Sequence, residues 1–507
     1  MNTPFLVGID LGTSSLKVVL CDESGRVVSS AAADYPIYAP TPGVAEQDPA
    51  DWWAALRTAL AQALSGCGRR GDSLAAIGLS GQMHGIVPLD QSGQALRRAI
   101  IWADQRGVAE LDVIEQRVDR ATLIAHTGSR ASVGFSAPKI LWLRRHEPEV
   151  FARCARLLLP KDYLALRLTG EFATEPTDAS ATLLFDLARR DWSPLLLERL
   201  EIASELLAPV RPTLSQAGTL THAAAADLGL PPGIPVVIGA GDTPAQATAY
   251  GGLRPGVTLA TISSGGQLFA AADQPIVDPA GRVHTLCHVL PDRWYLLGAM
   301  QAAGLALRWF RDLFGSATED QLHLSYEQLT AEGGQVPAGA DGLIFLPYLL
   351  GERTPHMDND ARAVFFGLTL RHNRAALVRA VMEGVAFAFR DGLEIFAELG
   401  LQTNELRLGG GGSRSALWRS ICADVFNISV TLTNADHGAA LGAALIAGAS
   451  IGHFGDLAAV SATVVQAVET VEPHPERAAR YAEQYAVFRS LYPSLREQFH
   501  ALGKILK

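Results

Sequence analysis

The chain has 507 residues, 48% hydrophobic and 19% charged, with a formal net charge of −10. That length exceeds what one hydrophobic core usually organises, so two domains of similar size are expected, and the composition argues against long disorder. The mild acidity, with no Lys or Arg run longer than a pair, speaks against nucleic acid and anionic membrane as partners.

The five cysteines, Cys21, Cys67, Cys154, Cys287 and Cys422, are scattered singly, which is neither a disulfide framework nor a zinc ribbon. A start without signal-peptide features and the lack of an apolar run of membrane-spanning length set the expectation of a cytoplasmic protein.

Phe5 to Leu20 reads as two short apolar strands joined by the turn Gly12-Thr-Ser-Ser15. Gly12 lets the backbone aim N–H groups at an anion, and Thr13, Ser14 and Ser15 add hydroxyls, so the turn predicts phosphate handling. Asp10 lies within the first strand, where a carboxylate needs a partner. Beside a phosphate that partner is a divalent cation; the alternative is a hairpin whose Asp caps its own turn. Gly25 marks a turn, Val27-Val28 continues the sheet, and Asp48-Pro49 starts a helix carrying Trp52, Trp53 and Leu56. Leu74 to Ser80 is again a buried strand, ending in the polar exit Gly81-Gln-Met-His-Gly85.

Pro138 to Leu168 has a mainly helical pattern. Gly233 to Asp242 returns to a buried strand closing on glycines and an acid, and the first domain is expected to end there, dividing the chain into 1–247 and 248–507. Val257 to Ile262, the turn Ser263-Ser-Gly-Gly-Gln267 and Leu268 to Ala272 then repeat the opening plan of strand, small-residue turn and strand, without sequence identity. A long helix follows near Leu377 to Glu398, then Leu406 to Leu408 runs into Gly409-Gly-Gly-Gly412. From Pro475 the chain reads as an amphipathic outer helix.

The turns at 12–15, 263–267 and 409–412 can face one another across a cleft between two domains, each offering backbone donors to part of a nucleotide, with ATP the obvious ligand. Phosphoryl transfer needs charge neutralisation, in-line positioning and a base for the attacking hydroxyl, tasks that Asp10 and Asp242 suit. Asp242 is also suited to capping the helix that begins at Thr243. From residue type alone, Met83 and His84 read as core side chains. His284-x-x-Cys287-His288 is too crowded for a zinc site and is rejected as one.

Six stretches together carry a resemblance: Ile9-Asp-Leu-Gly-Thr-Ser14, Gly81-Gln-Met-His-Gly85, Ile101-Trp-Ala-Asp-Gln-Arg106, Gly134-Phe-Ser-Ala-Pro-Lys-Ile-Leu-Trp142, Leu159-Pro-Lys-Asp-Tyr-Leu164 and Gly351-Glu-Arg-Thr-Pro-His356. They resemble the carbohydrate kinases named for their Phe-Gly-Gly-Tyr motif, and within that family the xylulokinase group, over nearly the whole chain. The resemblance implies an α/β protein of two ribonuclease-H-like domains, of actin and hexokinase type, flanking a catalytic cleft. The first domain would bind sugar and carry the first phosphate loop, and the second would bind the nucleotide.

By motif, Asp242 corresponds to the general base for the ketose 5-hydroxyl and Asp10 to the acid that supports Mg2+. Met83, His84, Asp104 and Thr243 fall at sugar-binding positions. Gly12, Thr13, Ser14, Ser15, Gly265, Gly266, Gly410, Gly411, Gly412 and Ser415 fall where the family holds ATP. The implied reaction is ATP-dependent phosphorylation of a ketopentose, D-xylulose foremost, with another ketose or a pentitol as the alternative. A non-catalytic nucleotide-dependent binding protein is the alternative of another class, and a homodimer is compatible with the resemblance. Three positions depart from the family pattern. Thr243 stands where Asn is usual, Ser264-Gly-Gly-Gln267 where Gly-Thr-Ser-Gly is usual, and Ala376 where an acid is usual, the last expected on a helix surface.

Overall fold

The computed structural model describes residues 5–67, 73–314 and 324–506. Two mixed sheets form its frame. The first holds β1 (Phe5–Leu11), β2 (Ser15–Cys21), β3 (Val27–Asp34), β4 (Leu74–Gly81), β5 (Gln216–Thr219) and β6 (Pro235–Gly241), in the order β5-β6-β4-β1-β2-β3. β1, β2 and β3 are an antiparallel meander; β4 pairs parallel to β1 and β6 parallel to β4, and β5 closes the edge antiparallel. The second holds β7 (Val257–Ile262), β8 (Gly266–Ala272), β9 (His284–Cys287), β10 (Trp294–Met300), β11 (Glu405–Gly409), β12 (Val430–Thr433) and β13 (Ala467–Val471), in the order β9-β10-β8-β7-β11-β12-β13. Its meander is β7, β8 and β10, its parallel strands are β11 and β12, and β13 is an antiparallel edge. The second sheet therefore repeats the first strand for strand, with β9 added beside β10.

Five helices position the site: α1 (Pro49–Gly66), α2 (Asp242–Ala249), α3 (Arg374–Glu398), α4 (Gly438–Ser450) and α5 (Pro475–Leu506). α1 starts as its sequence predicts, with Asp48 accepting a hydrogen bond from the Ala50 amide and Pro49 in the first turn. Val7, Ile9 and Leu11 of β1 pack toward Trp52 and Leu56 of α1, while Leu6 on the other face packs toward Ala440 and Ala444 of α4. Coverage on both faces is why β1 reads as a continuous apolar run. α4 comes from the second half of the chain yet lies on the first sheet. The approach is backbone to backbone: a Cβ on Gly8 would stand 1.8 Å from the Ala440 carbonyl oxygen, and one on Gly78 would stand 2.0 Å from that of Ala443.

The helical reading of 138–168 resolves into Ser136–His146, Pro148–Arg153 and Pro160–Thr169, with a short strand at Arg156–Leu158. α5 buries Tyr481, Tyr485, Phe488, Leu491, Tyr492 and Phe499 along one face, as an amphipathic outer helix should. Ala376 is a correction to the sequence reading. It is buried in the first turn of α3, an end against which the helix Tyr326–Gly334 packs, and not on a helix surface.

Candidate active site

The β1–β2 turn is fastened from behind. Gly12 N–H donates to the Ser15 carbonyl at 3.0 Å, the Tyr35 hydroxyl donates to the Gly12 carbonyl, and Gln47 Nε2 donates to the Thr13 carbonyl at 2.5 Å. Thr13 Oγ1 accepts from Trp102 Nε1 at 2.9 Å. With the carbonyls engaged, the Thr13 and Ser14 amides have no acceptor among the described residues. A turn with satisfied acceptors and free donors is suited to an anion.

Asp10 stands near the end of β1, opposite Lys17 of β2 and beside Ser80 of β4. Burial, and then the nearby Asp242 carboxylate, push its pKa up to about 7, with Ser80 and Lys17 pulling the other way. Its Oδ1 is buried without a hydrogen-bond partner. Asp242 opens α2, with Gly241 rather than Asp242 at the cap position. Burial raises its pKa to about 6, opposed by the Thr243 amide and hydroxyl, which donate to Oδ1 at 2.7 and 3.3 Å. Both acids are surrounded by protein yet keep part of their surface open. They face one open cavity, lined also by Lys17, Thr243, Gln267 and Asp436.

A buried polar network fixes the backbone before the base. Gly241 N–H donates to Thr177 Oγ1 at 2.9 Å, and that hydroxyl donates to Glu175 at 2.7 Å. Glu175, Asp162 and Asp178 in turn surround the fully buried Lys161, with its ammonium 2.5 Å from Asp162 and 3.7 and 3.8 Å from the other two. Three carboxylates and one ammonium without solvent disfavour full ionisation, and burial is the main force raising Asp178.

The other sugar-side residues differ in what they have free. Met83 packs on Gly241, where a Cβ would meet its sulfur at 2.8 Å, and joins an apolar cluster with Phe269, Tyr295 and Leu297 of the second sheet. His84 adopts φ +70°, a conformation unusual for a side-chain-bearing residue and a frequent mark of functional positions. Its Nδ1 lies 2.7 Å from the Ala181 carbonyl, and burial lowers its pKa to about 3. The ring is therefore neutral, with Nδ1 as the donor and Nε2 left as an acceptor. Asp104 is 1% exposed with both oxygens engaged, by the Ala45 amide at 2.8 Å and by Arg106.

On the nucleotide side, β7 pairs with β11 and brings the turns at 263–267 and 409–412 together. Gly410 has φ +80°, and a Cβ there would stand 2.5 Å from the Ile262 carbonyl oxygen, whereas Gly411 is exposed with nothing within 4 Å. Gly265 approaches the Met300 carbonyl and Gly266 the Phe389 ring in the same sense. Ser415 caps the helix Ala416–Phe426 by accepting from the Trp418 amide at 3.3 Å.

Sequence reasoning missed Lys17, Tyr250, Asp436 and His437, all of which line the cavity together with Gln267 of the expected turn. Lys17 was legible: in an antiparallel pair closed by a tight turn, the residue opposite Asp10 shares its face. Asp436 and His437 carried no local signal, because α4 delivers them from the far end of the chain.

Paired ribonuclease-H-like sheets with two acids at the cleft define a phosphotransferase of the actin and hexokinase class. Residues 5–251 match the N-terminal domain of the FGGY family of carbohydrate kinases, and residues 261–451 match its C-terminal domain. The chain belongs to this family and is a sugar kinase, which implies use of ATP. It is 37% identical over 494 residues to the xylulose kinase of Escherichia coli, covering 96% of this chain and 99% of that one. It is 34% identical over 504 residues to the xylulose kinase of Bacillus subtilis, covering 99% of each. Among solved structures, the xylulose kinase of Rhodospirillum rubrum superposes with a TM-score of 0.90 at 34% identity, covering 98% of this chain and all of that one. Among the described residues, no helix is long and apolar enough to cross a membrane.

Proposed function

We propose that this kinase phosphorylates a ketopentose, D-xylulose foremost, using ATP and Mg2+ in the cytoplasm. The first region, 1–247, holds the sugar, and the second, 248–507, holds most of the nucleotide. The single observation that carries the reading is the pair Asp10 and Asp242 facing one cavity, with relatives named xylulose kinase along the full length.

Asp242 accepts the proton of the attacking hydroxyl, and its raised pKa of about 6 suits it to that exchange near neutral pH. The Gly12–Ser15 turn and Lys17 take the transferring phosphoryl group. Ser263–Gln267 and Gly410–Gly412 take the rest of the nucleotide, by backbone donors where the usual Thr hydroxyl is missing. Thr243 holds Asp242 through its amide and hydroxyl, which makes it a positioning residue as much as a sugar contact.

Asp10 fits a Mg2+ ion: its carboxyl group lines the cavity, and its Oδ1 has no hydrogen-bond partner. Neither Asp10 nor Asp242 belongs to a ready-made group of three metal-capable side chains among the described residues, and Mg2+ commonly takes one or two carboxylates and completes its shell with phosphates and water. When bound, the ion supplies charge neutralisation of the phosphates. Free cysteines, four of the five buried, accord with a reducing compartment.

The test is ADP release with D-xylulose, L-xylulose, D-ribulose, L-ribulose, glycerol and pentitols, with Asp242→Ala as control. D-xylulose should give the highest kcat/KM. Turnover with a pentitol and none with xylulose would move the specificity, and no sugar-stimulated turnover would end the proposal.

A further inference from the structure

Arg353 lies in the Gly351-Glu-Arg-Thr-Pro-His356 stretch, and its backbone is pinned on both sides. Thr354 N–H donates to the Ala299 carbonyl at 2.9 Å, and Thr354 Oγ1 accepts from the Ala299 amide at 3.1 Å and donates to the Arg282 carbonyl at 2.9 Å. This places Arg353 beside the end of β10 and the start of β9, next to His284. Glu352, the nearest acid in sequence, is turned away: its Oε1 accepts from the Gln301 amide at 2.9 Å and from the Arg353 amide at 2.8 Å. Among the described residues, the half-buried Arg353 guanidinium makes no hydrogen bond or close ion pair, and the Glu352 carboxylate acts on its charge only from a distance.

The groups it faces carry no negative charge. Phe135 stands between two imidazoles, with its ring 4.7 Å from that of His84 and 5.3 Å from that of His284. Lys139 spends its ammonium on the carbonyls of Val133, Gly134 and Phe135 at 3.0, 2.5 and 2.9 Å, which fixes the loop that carries Phe135. The Arg353 charge acts on His84, His284 and Lys139 alike, lowering the pKa of each. His284 Nδ1 is buried without a partner. A half-buried guanidinium with five donors and no hydrogen-bonded acceptor is suited to a ligand that supplies oxygen, and its charge is felt by His84, the neighbour of Met83 in the sugar-side stretch.

The geometry points to Arg353 as a sugar-binding residue, delivered by the second half of the chain, that donates to the oxygens at the keto end of the substrate, opposite the hydroxyl that is phosphorylated. This rests on the reading of Met83 and His84 as the sugar side of the cleft. It also makes the sugar a bridge: His84 and Phe135 come from the first half, Arg353 and His284 from the second, so bound sugar ties the halves together.

The experiment measures sugar and ATP KM with D-xylulose for Arg353→Gln, Arg353→Lys and His84→Ala, together with 1-deoxy-D-xylulose as substrate and the thermal midpoint of each variant. Arg353→Gln should raise the sugar KM roughly 10- to 100-fold and leave the ATP KM unchanged. Arg353→Lys should recover part of the loss. The penalty for removing the 1-hydroxyl should be large in the parent enzyme and largely gone in Arg353→Gln. If His84→Ala raises the sugar KM while both Arg353 variants keep it, the Arg353 proposal alone is overturned. If neither position changes it, the proposal falls together with the reading of the pocket. A lowered thermal midpoint with unchanged sugar KM would assign Arg353 a purely structural role and also overturn it.

Discussion

Asp242 and Asp10 are two carboxyl groups that burial keeps partly protonated near neutral pH, so their titration should be visible in the kinetics. The base works only when ionised. The kcat/KM for sugar should therefore fall about tenfold per pH unit below about pH 6, the pKa of Asp242 in the free protein. At low Mg2+ a further acid limb should appear near pH 7, from Asp10, and move downward as Mg2+ is raised, since a cation favours the ionised form. The two groups interact, so these limbs belong to the pair. An acid limb indifferent to Mg2+ would show that Asp10 does not meet the ion. Asp242→Ala should lower kcat by about 10²- to 10⁴-fold with nucleotide binding retained.

The same shifts bear on stability. Both carboxyls have folded pKa values raised above their unfolded ones, so the folded state holds these protons more tightly. Their ionisation then costs stability as pH rises from about 4, the unfolded value, through about 6 and 7. Asp10→Asn and Asp242→Asn should therefore raise the thermal midpoint at pH 8 relative to the parent, and the gain should vanish at pH 4. An equal midpoint at both pH values would mean that these acids carry no such cost.

At the scale of elements, the two strand-turn-strand units were legible because each strand is buried on both faces and bounded by small residues. Asp10, Asp242 and the glycine turns were legible with them. What the sequence concealed lies in contacts between distant segments. Glu175 and Thr177 hold Gly241 through a chain of buried hydrogen bonds, with the Lys161 ammonium 3.7 Å from Glu175, and no spacing announces that. Asp104 accepts from Arg106 and Ala45, and Ser415 caps a helix; neither engagement is announced by the sequence. The glycine run separates in the same way. Gly410→Ala would force a side chain into φ +80° and to 2.5 Å from the Ile262 carbonyl oxygen, while Gly411→Ala enters open space. We expect Gly410→Ala to raise the ATP KM about tenfold, since φ +80° with ψ 178° is a region essentially reserved for glycine and costs about 1–3 kcal/mol for another residue, and Gly411→Ala to raise it much less. Steady-state titration of ATP at saturating sugar distinguishes them, and equal effects would show that the turn's conformation is not what binds the nucleotide.

Across the whole molecule, α4 ties the late part of the chain to the first sheet and to the helix that carries the base. Gly442 is where that contact is closest to the chemistry, since a Cβ there would stand 1.9 Å from the carbonyl oxygen of Ala245 in α2. Two effects of Gly442→Ala oppose each other. Replacing a helix-interior glycine by alanine favours the helix by about 1 kcal/mol. The clash is with backbone and cannot be relieved by a rotamer, so α2 or α4 must move, at a cost of about 1–3 kcal/mol typical of overpacking. The clash should win: Gly442→Ala should shift the denaturation midpoint downward and lower kcat, because α2 moves Asp242 with it. Gly455→Ala, an exposed position with nothing within 4 Å, should stay within about 0.5 kcal/mol of the parent. If Gly442→Ala instead stabilised the protein and kept full kcat, the packing of α4 would have slack enough to absorb a methyl group, and the base would be positioned independently of the end of the chain.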